Sequence, residues 1–296
     1  MQHDPDLQAV HLEQRGIDAR DAGRHAEAES YFARAVLKAP ARPISWLGLA
    51  LSQIDQQRVS AAIASLYRAR DLSPQSGVVN HLLDSLSGTT SARAPESYVI
   101  WLFNTYAANF DNHLARLAYQ GPDMLRRLAL RADWCEDKSR AILDIGCGTG
   151  LSGLPFAPYA SRLDGIDLAI GMLNQARRRA IYDDLHHGEA HAVLGAMPEN
   201  SYDTVLAADT LIYIGDVAEL FRLVATRLKP GGSFLFTVET GETGFKLTQS
   251  GRYSQSDAYL RDCATGLFAF SDHIEGTIRI EAGKFTPARA YRLTRL

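Results

Sequence analysis

Cysteine is scarce in this chain: three occur in 296 residues, and Cys135, Cys147 and Cys263 stand far apart. So few and so scattered thiols build neither a disulfide framework nor a zinc site, so reduced cysteines and no metal centre are expected. Long apolar runs are also missing, so nothing in the chain reads as a bilayer span and no membrane partner is expected. The opening MQHDPDLQ is polar where a secretory leader needs a basic start and an apolar core, which gives a cytoplasmic expectation. Positive charge is not in excess either. With a net charge of -3, no global field draws nucleic acid to the surface, and none is expected as a partner. What the chain does have is length and a 46% apolar composition, enough for one full domain and a smaller one.

The smaller one is repetitive. Leu12 and Trp46, Gly16 and Ala50, Ala28 and Ala62, Phe32 and Leu66, Ala35 and Ala69, and Pro40 and Pro74 recur at one constant offset, small on small and large on large. That register resembles the tetratricopeptide repeat, in which small residues mark the close crossing of two helices and proline closes the second helix. Residues 9–41 and 43–74 are then helix pairs, and a single apolar helix from Gly77 caps them. Such a module either docks a peptide or protein partner or extends the packing of its neighbour, and an oligomer is possible. The stretch 88–95, GTTSARAP, has linker composition, which divides the chain into 1–90 and 91–296.

The larger part begins with a helical approach. Over 96–119, Trp101, Leu102, Tyr106, Phe110, Leu114 and Leu117 recur at helical spacing and predict one helix with an apolar face on a sheet. Asn109, Asp111 and His113 form a polar group at its other edge, where an Asp-capped structural histidine competes with a general base.

The strongest signal is AILDIGCGTG at 141–150, an apolar strand running into Gly146, Gly148 and Gly150. Glycines there let the backbone turn tightly and approach a ligand. A second strand, 162–166, ends at Asp167, about 20 residues beyond the first glycine, where a neighbouring strand offers a carboxylate to a ribose. Met172 and Leu173 open the next helix and would lie against an adenine face; a third strand and turn, 185–190, would bring Glu189 to its amino group and the Ala190 amide to its ring. A fourth strand, 204–209, ends in Asp209. An amphipathic helix over 216–229, a fifth strand SFLFTVE, a polar loop over 240–255 that could act as a lid, a helix over 256–265 and two antiparallel strands around Gly283 complete the pattern. The run Arg177-Arg178-Arg179 reads as a solvated helix end.

Together LDIGCGTG, Asp167, GEA, YDTVLAAD and LKPGGSFLFTVE resemble the class I S-adenosylmethionine-dependent methyltransferases, from about Glu96 onward. The repeats and the strings YAANFDNHL and GRY are similar to a bacterial group with N-terminal tetratricopeptide repeats, from whose usual Asp and His the residues Asn104 and Gln255 depart. The implied fold is α/β, a Rossmann-like seven-stranded sheet, mostly parallel with its last strand antiparallel, behind a small all-α domain. The implied cofactor is S-adenosyl-L-methionine, with S-adenosylhomocysteine as product. Asp144 would hold the methionine ammonium directly or through water, Gly146, Cys147, Gly148 and Gly150 would follow the methionine part, Asp167 would take the ribose, Met172, Glu189 and Ala190 the adenine, and Leu168 would also line the cofactor. A dinucleotide site competes through GTGLSG at 148–153, but counted from Gly146 its third glycine would fall on Leu151, and the fingerprint fails.

The reaction implied is methyl transfer to an O, N or C nucleophile of a small molecule. If a base is needed, His113, Asp209, Tyr106, Tyr213 and Tyr253 are candidates, Asp209 also serving as a possible cofactor contact; Lys246, Arg252 and Tyr253 stand where substrate would enter. The proline-rich signature of exocyclic-amine methylation on nucleobases or glutamine amides is absent at 208–211. Two alternatives stay open: a protein, peptide or carrier-tethered substrate docked by the repeats, and a non-catalytic repeat scaffold with a vestigial site.

Overall fold

The computed structural model describes residues 4–281 and 283–296. The first three residues of the expected non-secretory start, and Ala282 in the expected final turn, lie outside the described residues. Two compact units emerge: Met1–Thr90 with Thr248–Gly251, and Ser91–Leu247 with Arg252–Leu296. No helix among the described residues is long and apolar enough to cross a membrane.

The first unit consists of α1 (Pro5–Asp21), α2 (His25–Lys38), α3 (Pro43–Asp55), α4 (Val59–Leu72) and α5 (Gly77–Ser87). Prolines in the first turn of α1 and α3 cost no hydrogen bond, because those amides have no intrahelical acceptor. The small residues of the repeat are where the helices touch: Ala28, Ala35, Ala50, Ala62 and Ala69 are fully buried. Phe32 is the wedge. Its ring lies against both Gly16 of α1 and Gly48 of α3, so that a Cβ added at Gly48 would stand 2.1 Å from a ring carbon. A polar clamp crosses the same helices, Arg42 placing two nitrogens on the buried Glu13 carboxylate at 2.9 and 2.8 Å.

The second unit is one sheet with helices around it. Strands β1 (Arg140–Ile145), β2 (Ala160–Asp167), β3 (Asp184–His187), β4 (Tyr202–Ala207) and β5 (Leu228–Thr240) run parallel in the order β3-β2-β1-β4-β5. The hairpin β6 (Phe245–Leu247) and β7 (Tyr253–Gln255) is followed by β8 (Phe268–Glu281) and β9 (Lys284–Arg295). Strand β9 lies antiparallel to β5, and β8 antiparallel to β9. Neighbouring β1 residues point to opposite faces, so Leu143 and Ile145 join a core with Val205, Phe221, Phe234 and Phe236, while Ile142 joins Met124, Leu128, Leu206 and Leu235.

The expected mostly parallel sheet with antiparallel closing strands is present, and two expectations around it need correction. The stretch 240–255 is not a loop: it contributes β6 and β7, which raise the sheet to nine strands. Because Glu239 pairs with Ala288 of β9 and with Ser254 of β7, the hairpin continues the sheet on the β4 side, beyond the end of β4. The approach over 96–119 is two helices, α6 (Glu96–Tyr106) and α7 (Phe110–Arg116). They break where Asn109 leaves helical geometry at φ -120 and ψ 14. Helix α8 (Gly121–Arg131) follows; α9 (Ile170–Arg179), α10 (Ala190–Ala196), α11 (Ala218–Arg227) and α12 (Asp257–Ala264) complete the unit.

Because Gly48 admits the Phe32 ring only by lacking a side chain, Gly48→Ala is expected to destabilise the helical unit by about 1–3 kcal/mol through overpacking. Urea unfolding followed by far-ultraviolet ellipticity measures it.

Candidate active site

The site is built at the carboxyl ends of β1, β2, β4 and β5. Strand β1 delivers Asp144, fully buried, to the start of the glycine loop. Its Oδ2 accepts hydrogen bonds from Ser152 Oγ and the Tyr182 hydroxyl, both at 2.7 Å, while Oδ1 is buried with no partner. Burial pushes this carboxyl up to about 7 against those two hydrogen bonds. Gly146, Gly148 and Gly150 take positive φ of 67, 55 and 91 degrees, the left-handed region that side chains resist. Space around them differs. A Cβ on Gly146 would meet Thr210 Oγ1 at 2.4 Å, whereas one on Gly148 would meet only a Phe110 ring carbon at 3.9 Å. The turn after β4 therefore seals one side of the loop, and Thr210 Oγ1 also donates to the Ile145 carbonyl at 2.8 Å.

Asp167, ending β2, braces the loop from the next strand. Its Oδ2 accepts from Gly148 N at 2.9 Å and its Oδ1 from Ala169 N at 2.7 Å. Burial raises its carboxyl to about 6 despite these amides. Glu189 stands at the start of α10, where it accepts from Ala192 N at 3.1 Å and lies 2.6 Å from His191 Nδ1. Burial works to raise its pKa, but His191 and the helix amide outweigh it and hold it low.

Several expected contacts point elsewhere. Cys147 turns its sulfur into the packing beside Gly165 and gives its amide to the Ile166 carbonyl, so it scaffolds the loop. Met172 is fully buried with Ala107, Ala169, Phe103 and Phe110. Leu168 offers its carbonyl 3.1 Å from His187 Nε2, and Ala190 opens α10. The triple-arginine run is only partly solvated: Arg179 donates to the Thr149 carbonyl at 2.6 Å and pairs with Asp111. Asp111 also accepts from Thr149 Oγ1 at 2.5 Å. It is therefore not the cap of His113, which instead stacks on Tyr106 with ring centroids 5.5 Å apart. Burial, then the nearby Arg116, lowers the His113 pKa. Asn104 fastens α6 to α9 by accepting from Gly171 N at 3.1 Å.

Beyond β4 the charge is concentrated. Asp209 sits in the left-handed region at φ 56, its amide donating to Thr237 Oγ1 at 2.8 Å. Its Oδ2 accepts from Arg279 at 2.7 Å, and its Oδ1 is buried without a partner. Burial raises its pKa, and Arg279 and Arg252 oppose that rise. Arg279, only 2% exposed, also pairs with Glu239 and lies 3.4 Å from Glu281. Arg252 places its two terminal nitrogens on Glu281 at 2.8 and 2.9 Å. The charge of Asp209 reaches two phenols, Tyr119 and Tyr213, whose pKa values burial has already raised. Tyr213 meets Phe103 edge-on at 5.2 Å. Tyr253 is fully buried, its hydroxyl 2.7 Å from Ser91 Oγ, which makes it a packing residue, and Lys246 is exposed on β6. Gln255 Nε2 donates to the Leu211 and Ile214 carbonyls and so fixes the turn that carries Tyr213.

Sequence reasoning missed Ser152, Tyr182, Glu239, Arg279 and Glu281. A signal for the last two existed in the alternation Ile278-Arg279-Ile280-Glu281, which puts both charges on one face of a strand.

Residues 143–236 match a methyltransferase domain family and residues 14–77 a tetratricopeptide-repeat family. Among curated proteins, the chain is 32% identical over 121 residues to a ubiquinone biosynthesis O-methyltransferase of Aeromonas salmonicida, covering 37% of this chain and 50% of that protein. It is 34% identical over 99 residues to phosphoethanolamine N-methyltransferase 1 of Arabidopsis thaliana, covering 32% of this chain and 20% of that one. The matched region thus spans half or less of these relatives' length. Among solved structures, the N-methyltransferase NodS of Bradyrhizobium japonicum, in complex with S-adenosylhomocysteine, shares the fold at a TM-score of 0.53 and 18% identity, covering 67% of this chain and 98% of that one.

Arg279 is the shared partner of buried carboxylates, so Arg279→Met is expected to destabilise the protein by about 3–5 kcal/mol by leaving them uncompensated. A lowered urea midpoint measures it, and a midpoint equal to wild type would contradict the clamp.

Proposed function

We propose, from the match of residues 143–236 to a methyltransferase domain family and of residues 14–77 to a tetratricopeptide-repeat family, that the protein transfers a methyl group from S-adenosylmethionine to a small-molecule acceptor. The observation that carries this reading is Asp144: a fully buried carboxylate with one oxygen unpartnered beside a glycine loop. An unpaired buried acceptor is costly, and an ammonium at Oδ1 removes the cost. The other residues fit the same group. Gly148 leaves open space over the loop, and each Asp167 oxygen, holding one amide, keeps a lone pair for a ribose hydroxyl. Glu189, held ionised at the rim, suits an adenine amino group.

When bound, S-adenosylmethionine supplies a methyl group on a sulfonium whose leaving group, S-adenosylhomocysteine, is neutral. The chain's own work is positioning and proton handling. Asp144 and Asp167 orient one partner, and the Asp209 turn, packed on Gly146 through Thr210, holds the other beside it. Helices α6 and α7 are tied to the rest of the unit through Asn104 to Gly171 and Asp111 to Thr149. In this reading Asp209, with its Oδ1 unpartnered, takes a proton from the acceptor. His113, kept neutral by burial, is a second acceptor of protons at the Tyr106 side.

Calorimetry with S-adenosylhomocysteine tests the reading, and absence of binding would overturn it. Because burial holds the Asp144 carboxyl near pH 7, a bound ammonium must displace its proton below that pH. Affinity is therefore expected to rise with pH by up to about tenfold per unit below pH 7 and to level off above it. Asp144→Asn should flatten this dependence. Asp167→Ala is expected to weaken binding by roughly several-fold to a hundredfold, the loss of a charge-assisted hydrogen-bond pair.

A further inference from the structure

We propose that the acceptor is an amine, recognised as an ammonium by Asp209 Oδ1; the inference rests on the methyltransferase reading and deepens it. The Asp209 carboxylate is fixed at three points: its amide on Thr237, its Oδ2 on Arg279, and its backbone in the left-handed region. Only Oδ1 is left over, buried and without a partner. A buried carboxylate oxygen of this kind calls for a hydrogen-bond donor.

Charge decides which donor. Asp209, Glu239 and Glu281 meet two guanidiniums, Arg252 and Arg279, so the cluster carries one formal negative charge in excess. Both guanidiniums are engaged with these carboxylates, which leaves neither as a ready anchor for a carboxylate or phosphate on the acceptor. His113, in electrostatic reach of Arg252 and Glu281, is pushed toward its neutral form and does not repair the imbalance. A neutral hydroxyl would satisfy Oδ1 but leave the excess charge, whereas an ammonium answers both. Tyr213, in edge contact with Phe103, and Tyr119 both lie within the field of Asp209. The same carboxylate then does the one thing an ammonium needs before it can act as a nucleophile. A proton passes from nitrogen to Oδ1, and the nitrogen keeps its lone pair.

The test uses the full-length protein loaded with S-adenosylhomocysteine and three matched probes: 2-phenylethylamine, 2-phenylethanol and 3-phenylpropanoate. Thermal shift and calorimetry should show the amine binding at least about tenfold more tightly than either of the others. Asp209→Asn, nearly the same shape, should bind S-adenosylhomocysteine to within about twofold and lose the preference for the amine. Equal or tighter binding of the alcohol or the carboxylate, or no binding of the amine, overturns the proposal on wild-type protein alone. So does an Asp209→Asn protein that keeps the preference, or one that loses the nucleotide in parallel, which would place Asp209 on the cofactor. Failure of wild-type protein to bind S-adenosylhomocysteine overturns the methyltransferase reading itself and takes this inference with it.

Discussion

A carboxylate held out of water with one oxygen unpaired is the constraint from which the catalytic unit follows. Each pKa unit by which burial raises Asp144 represents about 1.4 kcal/mol of disfavoured ionisation. The fold surrounds this group from every side. Strand β1 aims it, Ser152 and Tyr182 fix its other oxygen, and the glycine loop bends away from it without placing a side chain over it. Asp167 then ties the loop to β2 through the Gly148 amide, so the second carboxylate steadies the approach to the first. The sheet order matters because it sets β1 between β2 and β4, which brings acids from three strands to one crevice.

The closing antiparallel strands supply what the parallel strands cannot. Strand β8 carries Arg279 into the acid cluster, and its flanking residues Ile278 and Ile280 exchange backbone hydrogen bonds with Gln120 and Leu117 just after α7. One strand therefore positions both the cation that clamps Asp209 and the end of the helical cover. The backbone thereby couples the polar cluster to the cover.

The architecture was legible because its signals are local. Alternate glycines after an apolar strand require left-handed backbone, and the three take it; small residues at a constant offset require close helix crossings, and they make them. The acids at the strand ends were legible for the same reason, since strand direction alone brings them to one edge. What stayed hidden depends on partners remote in sequence. Arg279 lies 70 positions from Asp209, and a single arginine in an alternating strand reads as solvent-facing until the opposite carboxylates are known. Asp111 looked paired with His113 two positions away, but a helix turns such neighbours to different faces, and Asp111 meets Arg179 across the unit. The inward direction of the Cys147 and Met172 side chains was hidden for the same reason, since it is set by packing and not by chain position.

The left-handed backbone at Asp209 carries a consequence for how this family of pockets can diverge. At φ 56 the side chains tolerated without strain are few, chiefly glycine, asparagine and aspartate. Of these only aspartate brings a charge. The turn thus restricts the position to a small alphabet in which each letter gives the pocket a different electrostatic character while the backbone stays put.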